Sequence, residues 1–293
     1  MSGRTLSALA ALGVTALLAP AGGQSALQVS HRARALAPGE VVELIVSSPA
    51  PLDAVAAEAF DQRVIFVPGG QPGEWRGLLG LDLDTPAGRQ TVAISTLAAG
   101  GAPGPDARHV LDVQPRTFPT RRLTVDDRYI NPPARALQRI ERESARNQAL
   151  LSSVTPSRLW SAPFVAPVPG SPTSSFGRRN VLNGQPRSPH SGTDFRAPTG
   201  TPVRAPNAGR VALAEEQYFS GNTVLIDHGL GLFSFLAHLS ETSVAEGQAV
   251  DRGQVVGKAG ATGRVTGPHL HWTVRLNGAR IDPLALLALL GDR

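Results

Sequence analysis

The chain has 293 residues, enough for two domains with separate cores, and it contains no cysteine. Disulfides, thiolate metal sites and cysteine nucleophiles are therefore excluded, and any metal must be held by His, Asp or Glu. Lys and Arg total 28 against 23 Asp and Glu, an excess that suits a polyanionic surface such as a cell wall, whereas 5% aromatics and scattered arginines argue against nucleic acid.

Arg4 precedes an apolar run from Leu6 to Leu18, and Pro20, Ala21, Gly22 and Gly23 follow it. This reads as an export signal over residues 1–23, with the mature chain starting near Gln24. The run is shorter than the ~20 residues that a spanning helix needs. The expectation is a product exported to the periplasm or cell-wall space, without stable membrane insertion.

Residues 24–115 carry β-prone runs such as Val41–Val46, Val64–Val67 and Val92–Ile94, separated by turns at Pro38-Gly39 and Pro68-Gly69-Gly70. That spacing predicts an immunoglobulin-like β-sandwich, with Trp75 and the run Leu78–Leu83 in its core. His31 and His109 have no partner at ligand spacing and read as surface or structural residues.

Residues 116–160 read as a linker. Pro132-Pro133 opens an Ala-, Arg-, Glu- and Gln-rich stretch that predicts an amphipathic helix over 134–151, with Leu137, Ile140 and Ser144 on one face and a solvated charged face. Pro156, Pro163, Pro167, Pro169 and Pro172 then make a stiff approach to a second β-rich unit, residues 161–293. Within that unit, Gly247–Gly257 alternates turn glycines with strand valines in the manner of a tight hairpin.

Five of the seven histidines lie between 190 and 271. His190 and Asp194 stand in Pro189-His190-Ser191-Gly192-Thr193-Asp194, a loop running into a strand. His269 and His271 stand in Gly267-Pro268-His269-Leu270-His271, where a strand's period of two puts both imidazoles on one face and Leu270 on the other. Two His and one carboxylate suffice for Zn²⁺ while leaving a fourth tetrahedral position open, as in catalytic sites. No His-Glu-x-x-His occurs, so the glutamate base of thermolysin-like enzymes is missing and a histidine must act instead. His228, which follows a strand, reads as structural.

The segments Ser188–Asp194, Ala237-His238-Leu239-Ser240 and Gly267–His271 resemble the signatures of lysostaphin/LytM-type zinc endopeptidases. Ser175-Phe176-Gly177-Arg178-Arg179, Ala197–Val203 and Gly260-Ala261-Thr262-Gly263 match in the same order, and the resemblance covers roughly residues 165–285. It implies a mostly β architecture whose C-terminal metallopeptidase domain is of lysostaphin type, like a duplicated hybrid motif. It further implies one Zn²⁺ per chain on His190, Asp194 and His271, with His238 and His269 as catalytic residues whose division of roles stays open. Phe235 stands where the family often has a tyrosine. Arg178 either holds a carboxylate of the substrate or closes a turn against Asp227.

The function so implied is hydrolysis of peptide stems or cross-links of bacterial peptidoglycan, with divisome or wall-synthesis proteins as candidate partners. The alternative is a non-catalytic, wall-binding regulator of another hydrolase, against which the full set of ligands and histidines weighs.

Overall fold

Between Gln28 and Val113, runs of β-branched residues alternate with turn residues, and eight strands result: β1 (Gln28–Ala33), β2 (Val41–Ser47), β3 (Leu52–Ala59), β4 (Gln62–Ile65), β5 (Val67–Pro68), β6 (Glu74–Gly80), β7 (Gly88–Ala98) and β8 (Ala107–Val113). The computed structural model of the protein describes residues 27–124, 131–174 and 176–292, so the expected export segment lies outside the described residues. The strands form two antiparallel sheets, ordered β1-β2-β6-β5 and β4-β3-β7-β8. Alternate residues of β2 (Val42, Leu44, Val46) share one core with Ala57 of β3, Ile94 of β7 and Leu111 of β8. Leu79 and Leu81 belong to it and Trp75 packs against it, as expected, whereas Leu78 of the same run packs against the core of the C-terminal unit instead.

His31 and His109 do find a partner, namely each other. Nδ1 of His31 lies 2.8 Å from Nε2 of His109, joining β1 to β8. Burial first, and then His31, lowers the pKa of His109.

A strand β9 (Thr120–Leu123) precedes the helix α1 (Ala134–Leu151), which spans the expected residues. Its packing differs from the expectation. Ala136 is buried while Leu137 is 46% exposed, and part of the polar side of the helix lies against the sheet. Arg146 pairs with Glu215 and Glu246, Asn147 bonds Gln217, and Glu143 accepts the Tyr218 N–H at 2.8 Å. The reason is that the surface beneath the helix offers Glu215, Gln217 and a free backbone N–H, which charged residues satisfy and Leu137 cannot.

The C-terminal unit contains β10 (Pro172–Ser174), β11 (Arg179–Leu182), β12 (Gln185–Pro186), β13 (Gly192–Phe195), β14 (Pro202–Arg204), β15 (Gly209–Gln217), β16 (Gly221–Gly229), β17 (Leu232–Thr242), β18 (Ala249–Val250), β19 (Val255–Ala259), β20 (Leu270–Leu276), β21 (Ala279–Ile281) and α2 (Pro283–Leu290). Its main sheet runs β10-β13-β20-β17-β16-β15-β18, with β14, β19 and β21 attached. The hairpin expected within 247–257 is corrected. β18 pairs with β15 and β19 pairs with β14 and β17, so Asp251–Gln254 is a turn between strands that part company. No helix among the described residues is long and apolar enough to cross a membrane.

The two units are closely joined. Val41 of β2 belongs to the hydrophobic core of the C-terminal unit, with Leu276 and Ile281 among its members. A side chain on Gly80 would meet Ala279 and Ile281 at 2.8 and 2.9 Å. Arg280 binds Asp82 through its backbone N–H and its guanidinium. Asp282 caps α2 by accepting from Leu284 N–H and also binds Arg34, which with Arg116 neutralises the fully buried Glu40.

Candidate metal centre

The centre is set by strand register. β13 pairs with β20 so that Asp194 faces His271 and Gly192 faces Thr273. Gly192 is required there, because a Cβ would lie 2.4 Å from the Trp272 carbonyl oxygen and 2.9 Å from His271 Cε1. His190 comes from the loop before β13. Its N–H donates to the Arg178 carbonyl (2.9 Å) and its carbonyl accepts from Gly177 N–H (2.8 Å), so the loop is itself tied down.

These three residues converge. Asp194 Oδ1 lies 2.8 Å from His271 Nδ1 and 3.1 Å from His190 Nε2, and the two nitrogens are 3.1 Å apart. A tetrahedral shell with metal–donor bonds of ~2.0–2.1 Å has edges of about 3.3 Å, so the donor triangle is slightly tight but of the right size. They form the cluster of His and carboxylate groups able to hold a metal among the described residues. Burial alone would raise the Asp194 carboxyl, yet hydrogen bonds to His190 and His271 hold it well below the usual carboxylate range. Burial pushes the His271 imidazole down, against the raising effect of Asp194. Thr273 Oγ1, 2.9 Å from His271 Nε2, can accept its N–H and leave the Nδ1 lone pair for a metal. Thr273 was not singled out from sequence, although its place two residues beyond His271 on one strand face was the available signal.

His238 and His269 stand beside this triangle, with ring centroids 4.9 Å apart and His238 5.8 Å from His271. His269 Nδ1 bonds the Gly267 carbonyl at 2.8 Å and His238 Nδ1 bonds the Thr262 carbonyl at 2.9 Å. A carbonyl only accepts, so both rings carry their hydrogen on Nδ1 and present Nε2 lone pairs. His269 Nε2 lies 3.7 Å from Asp194 Oδ1. His238 reaches this position through a bulge: two steps along β16 (Asn222 to Val224) oppose three along β17 (Leu239 back to Leu236), and His238 adopts φ +64°. The Ser220 carbonyl holds its N–H at 2.8 Å. Burial, followed by the charge of His271, takes the His238 pKa down to about 3.

Arg178 does not close a turn against Asp227, whose oxygens are taken by the Thr155 hydroxyl and the Gly229 N–H. Its Nε is buried without a partner among the described residues. Phe235 packs with Leu213, Leu225 and Phe233 under the end of α1 and supplies no polar group to the centre.

Residues 188–283 match the profile described as Peptidase family M23. The crystal structure of a Pseudomonas aeruginosa protein described as an M23 peptidase superimposes with a TM-score of 0.67 and 34% identity, covering 88% of this chain and 96% of that one. The chain belongs to peptidase family M23. Its M23 segment is 43% identical over 97 residues to the peptidoglycan DD-endopeptidase ShyA of Vibrio cholerae and 45% identical over 97 residues to the DD-carboxypeptidase/endopeptidase Mpg of Neisseria meningitidis. Each match takes in 33% of this chain, and it spans only 23% and 22% of those relatives' own lengths. M23 members are metallopeptidases, and the convergent His190, Asp194 and His271 are what such chemistry requires.

Proposed function

We propose that this protein is a zinc-dependent endopeptidase that hydrolyses peptide stems or cross-links of bacterial peptidoglycan. The observation that carries the reading is the convergence of three metal donors with two further imidazoles whose Nε2 lone pairs face the same side. His190 Nε2, Asp194 Oδ1 and His271 Nδ1 would hold one Zn²⁺. When bound, the ion would supply a Lewis acid and a water ionised near neutral pH.

The remaining work falls to His238 and His269. Amide hydrolysis needs a group to take a proton from the attacking water, a donor for the developing oxyanion and an acid for the leaving nitrogen. Both Nε2 atoms can take a proton, and each ring, once protonated there, becomes the donor that the later steps need. The fixed Nδ1 bonds keep both rings aimed while the proton moves.

The name of ShyA supports peptidoglycan as the substrate, and an export segment over residues 1–23 with action in the periplasm or cell-wall space fits that substrate. On this reading, residues 24–115 form the immunoglobulin-like unit and, with the linker of residues 116–160, position or gate the peptidase domain of residues 161–293. Divisome or wall-synthesis proteins are the partners to look for. The test is zinc content together with release of new amino groups from purified peptidoglycan. Wild type should hold about one zinc per chain and cut. Zinc-loaded protein that leaves peptidoglycan intact would return the wall-binding regulator instead.

A further inference from the structure

The sequence scatters its arginines, but the fold gathers several of them beside the metal centre. β9 lies parallel to β11, which pairs with β12, making a small separate sheet. One end of the β11–β12 hairpin leads through Arg178 and Arg187 directly to His190. Thr120 pairs with Arg179 and Arg122 with Val181, so Arg179 and Arg122 share a face, two positions apart, while Arg121 points to the other. Arg121, Arg122 and Arg179 are exposed. Residues 113–125 and 144–193 contain no Asp or Glu. Among the described residues no carboxylate pairs with Arg121, Arg122, Arg178 or Arg179.

Gathering like charges this way opposes folding unless an anion lies among them. The buried Nε of Arg178, next in chain to Arg179 and bonded through its carbonyl to the metal-site residue His190, is a donor that needs an acceptor. The Arg264 guanidinium lies 4.5 Å over the Phe219 ring, and burial, then the charge of Arg187, lowers its pKa. The linker is fastened where it delivers its two arginines: Phe118 packs on Gly177 and edge-on against Phe176, with ring centroids 6.3 Å apart.

We propose that β9 of the linker and the β11–β12 hairpin together form an anion-binding face that seats the free carboxylates of the peptide substrate next to the metal centre. Arginine suits the task because its planar fork matches a carboxylate in two bonds. The substrate site is thus composite, with Arg122, Arg178 and Arg179 all contributed from outside the M23 segment of residues 188–283. The ligand class rests on the endopeptidase reading above.

The test uses the full, zinc-loaded chain and a soluble cross-linked stem peptide, with its carboxylates either free or converted to amides. Binding is read by anisotropy of the labelled peptide on a His269→Ala background, so that no turnover is needed, and KM is read separately on the unsubstituted chain. The Arg122→Gln/Arg179→Gln pair, and Arg179→Gln alone, should weaken binding of the free-carboxylate peptide by about fivefold and twofold, raise KM in proportion, and leave the amidated peptide unaffected, whereas Arg121→Gln, on the other face, should change nothing. Arg63→Gln/Arg89→Gln removes the same charge from exposed positions on the N-terminal sheets and should change nothing. Equal binding of free and amidated peptides, or an equal effect of the control pair, would overturn the proposal. Selective binding of the free-carboxylate peptide without any release of amino groups would leave this face standing and bring down the endopeptidase reading.

Discussion

A buried histidine and a cluster of four others lie on opposite faces of the same sheet, and they use the same side chain in opposite ways. On the core face, Trp272 Nε1–H donates to Ser234 Oγ (3.1 Å), Ser234 Oγ–H donates to His228 Nε2 (3.0 Å), and His228 Nδ1–H donates to the Ala208 carbonyl (2.8 Å). Every polar atom of that chain is satisfied inside the protein, and His228 is fully buried. On the other face, His190, His238, His269 and His271 spend one nitrogen at most on structure and turn the other toward a common point. A histidine with both nitrogens spent on the scaffold is part of it, and histidines that converge on one carboxylate and on one another make a site.

The largest effect that sharpens this contrast should come from His271→Ala or Asp194→Ala. Either should abolish stoichiometric zinc, read by metal analysis, and with it amino-group release, while melting remains cooperative. His269→Ala and His238→Ala should keep zinc and lose activity by about 10²–10⁴-fold, the range for a lost general acid or base; a variant that keeps full rate would remove that residue from the chemistry. Thr273→Val should cost about 10–100-fold in zinc affinity or rate, because the ring it orients stays in place.

His228→Leu belongs to the other face and should act on stability alone. It leaves Ser234 and the Ala208 carbonyl short of partners, a loss of about 1–3 kcal/mol in denaturant titration, with rate per folded molecule unchanged. The wild type should also report this group through pH. Burial lowers the His228 pKa from 6.5 to about 4. Above pH 6.5 the imidazole is neutral in both states and has no effect. As pH falls from 6.5 toward 4 the unfolded chain binds a proton that the folded chain refuses, and stability drops by ~3 kcal/mol in total. In His228→Leu that part of the slope should vanish; an unchanged slope would assign it to other groups.

Much of the metal centre was legible because it is local. The His190/Asp194 spacing, the alternation of His269 and His271 about Leu270, and the absence of cysteine each constrain the chemistry without reference to distant residues. The α1 limits were likewise readable from Pro133 and the composition that follows. What sequence could not show depends on pairing over distance. Nothing near Thr120 announces a parallel partner at Arg179, so the arginine face was invisible. Leu137 looked like a buried residue until β15 presented Glu215 and Gln217 to the helix. His31 and His109 meet only because two sheets close over one core.

Val41 carries a consequence for how the molecule comes apart. It is one residue of β2, yet it fills the interior of the C-terminal unit, and Gly80 and Arg280 fit the same seam. The C-terminal half does not finish its interior alone. Heat-capacity scans of the intact chain should therefore show a single cooperative transition, and a chain cut back to residues 160–293 should melt earlier, with a hydrophobic hole where Val41 had been.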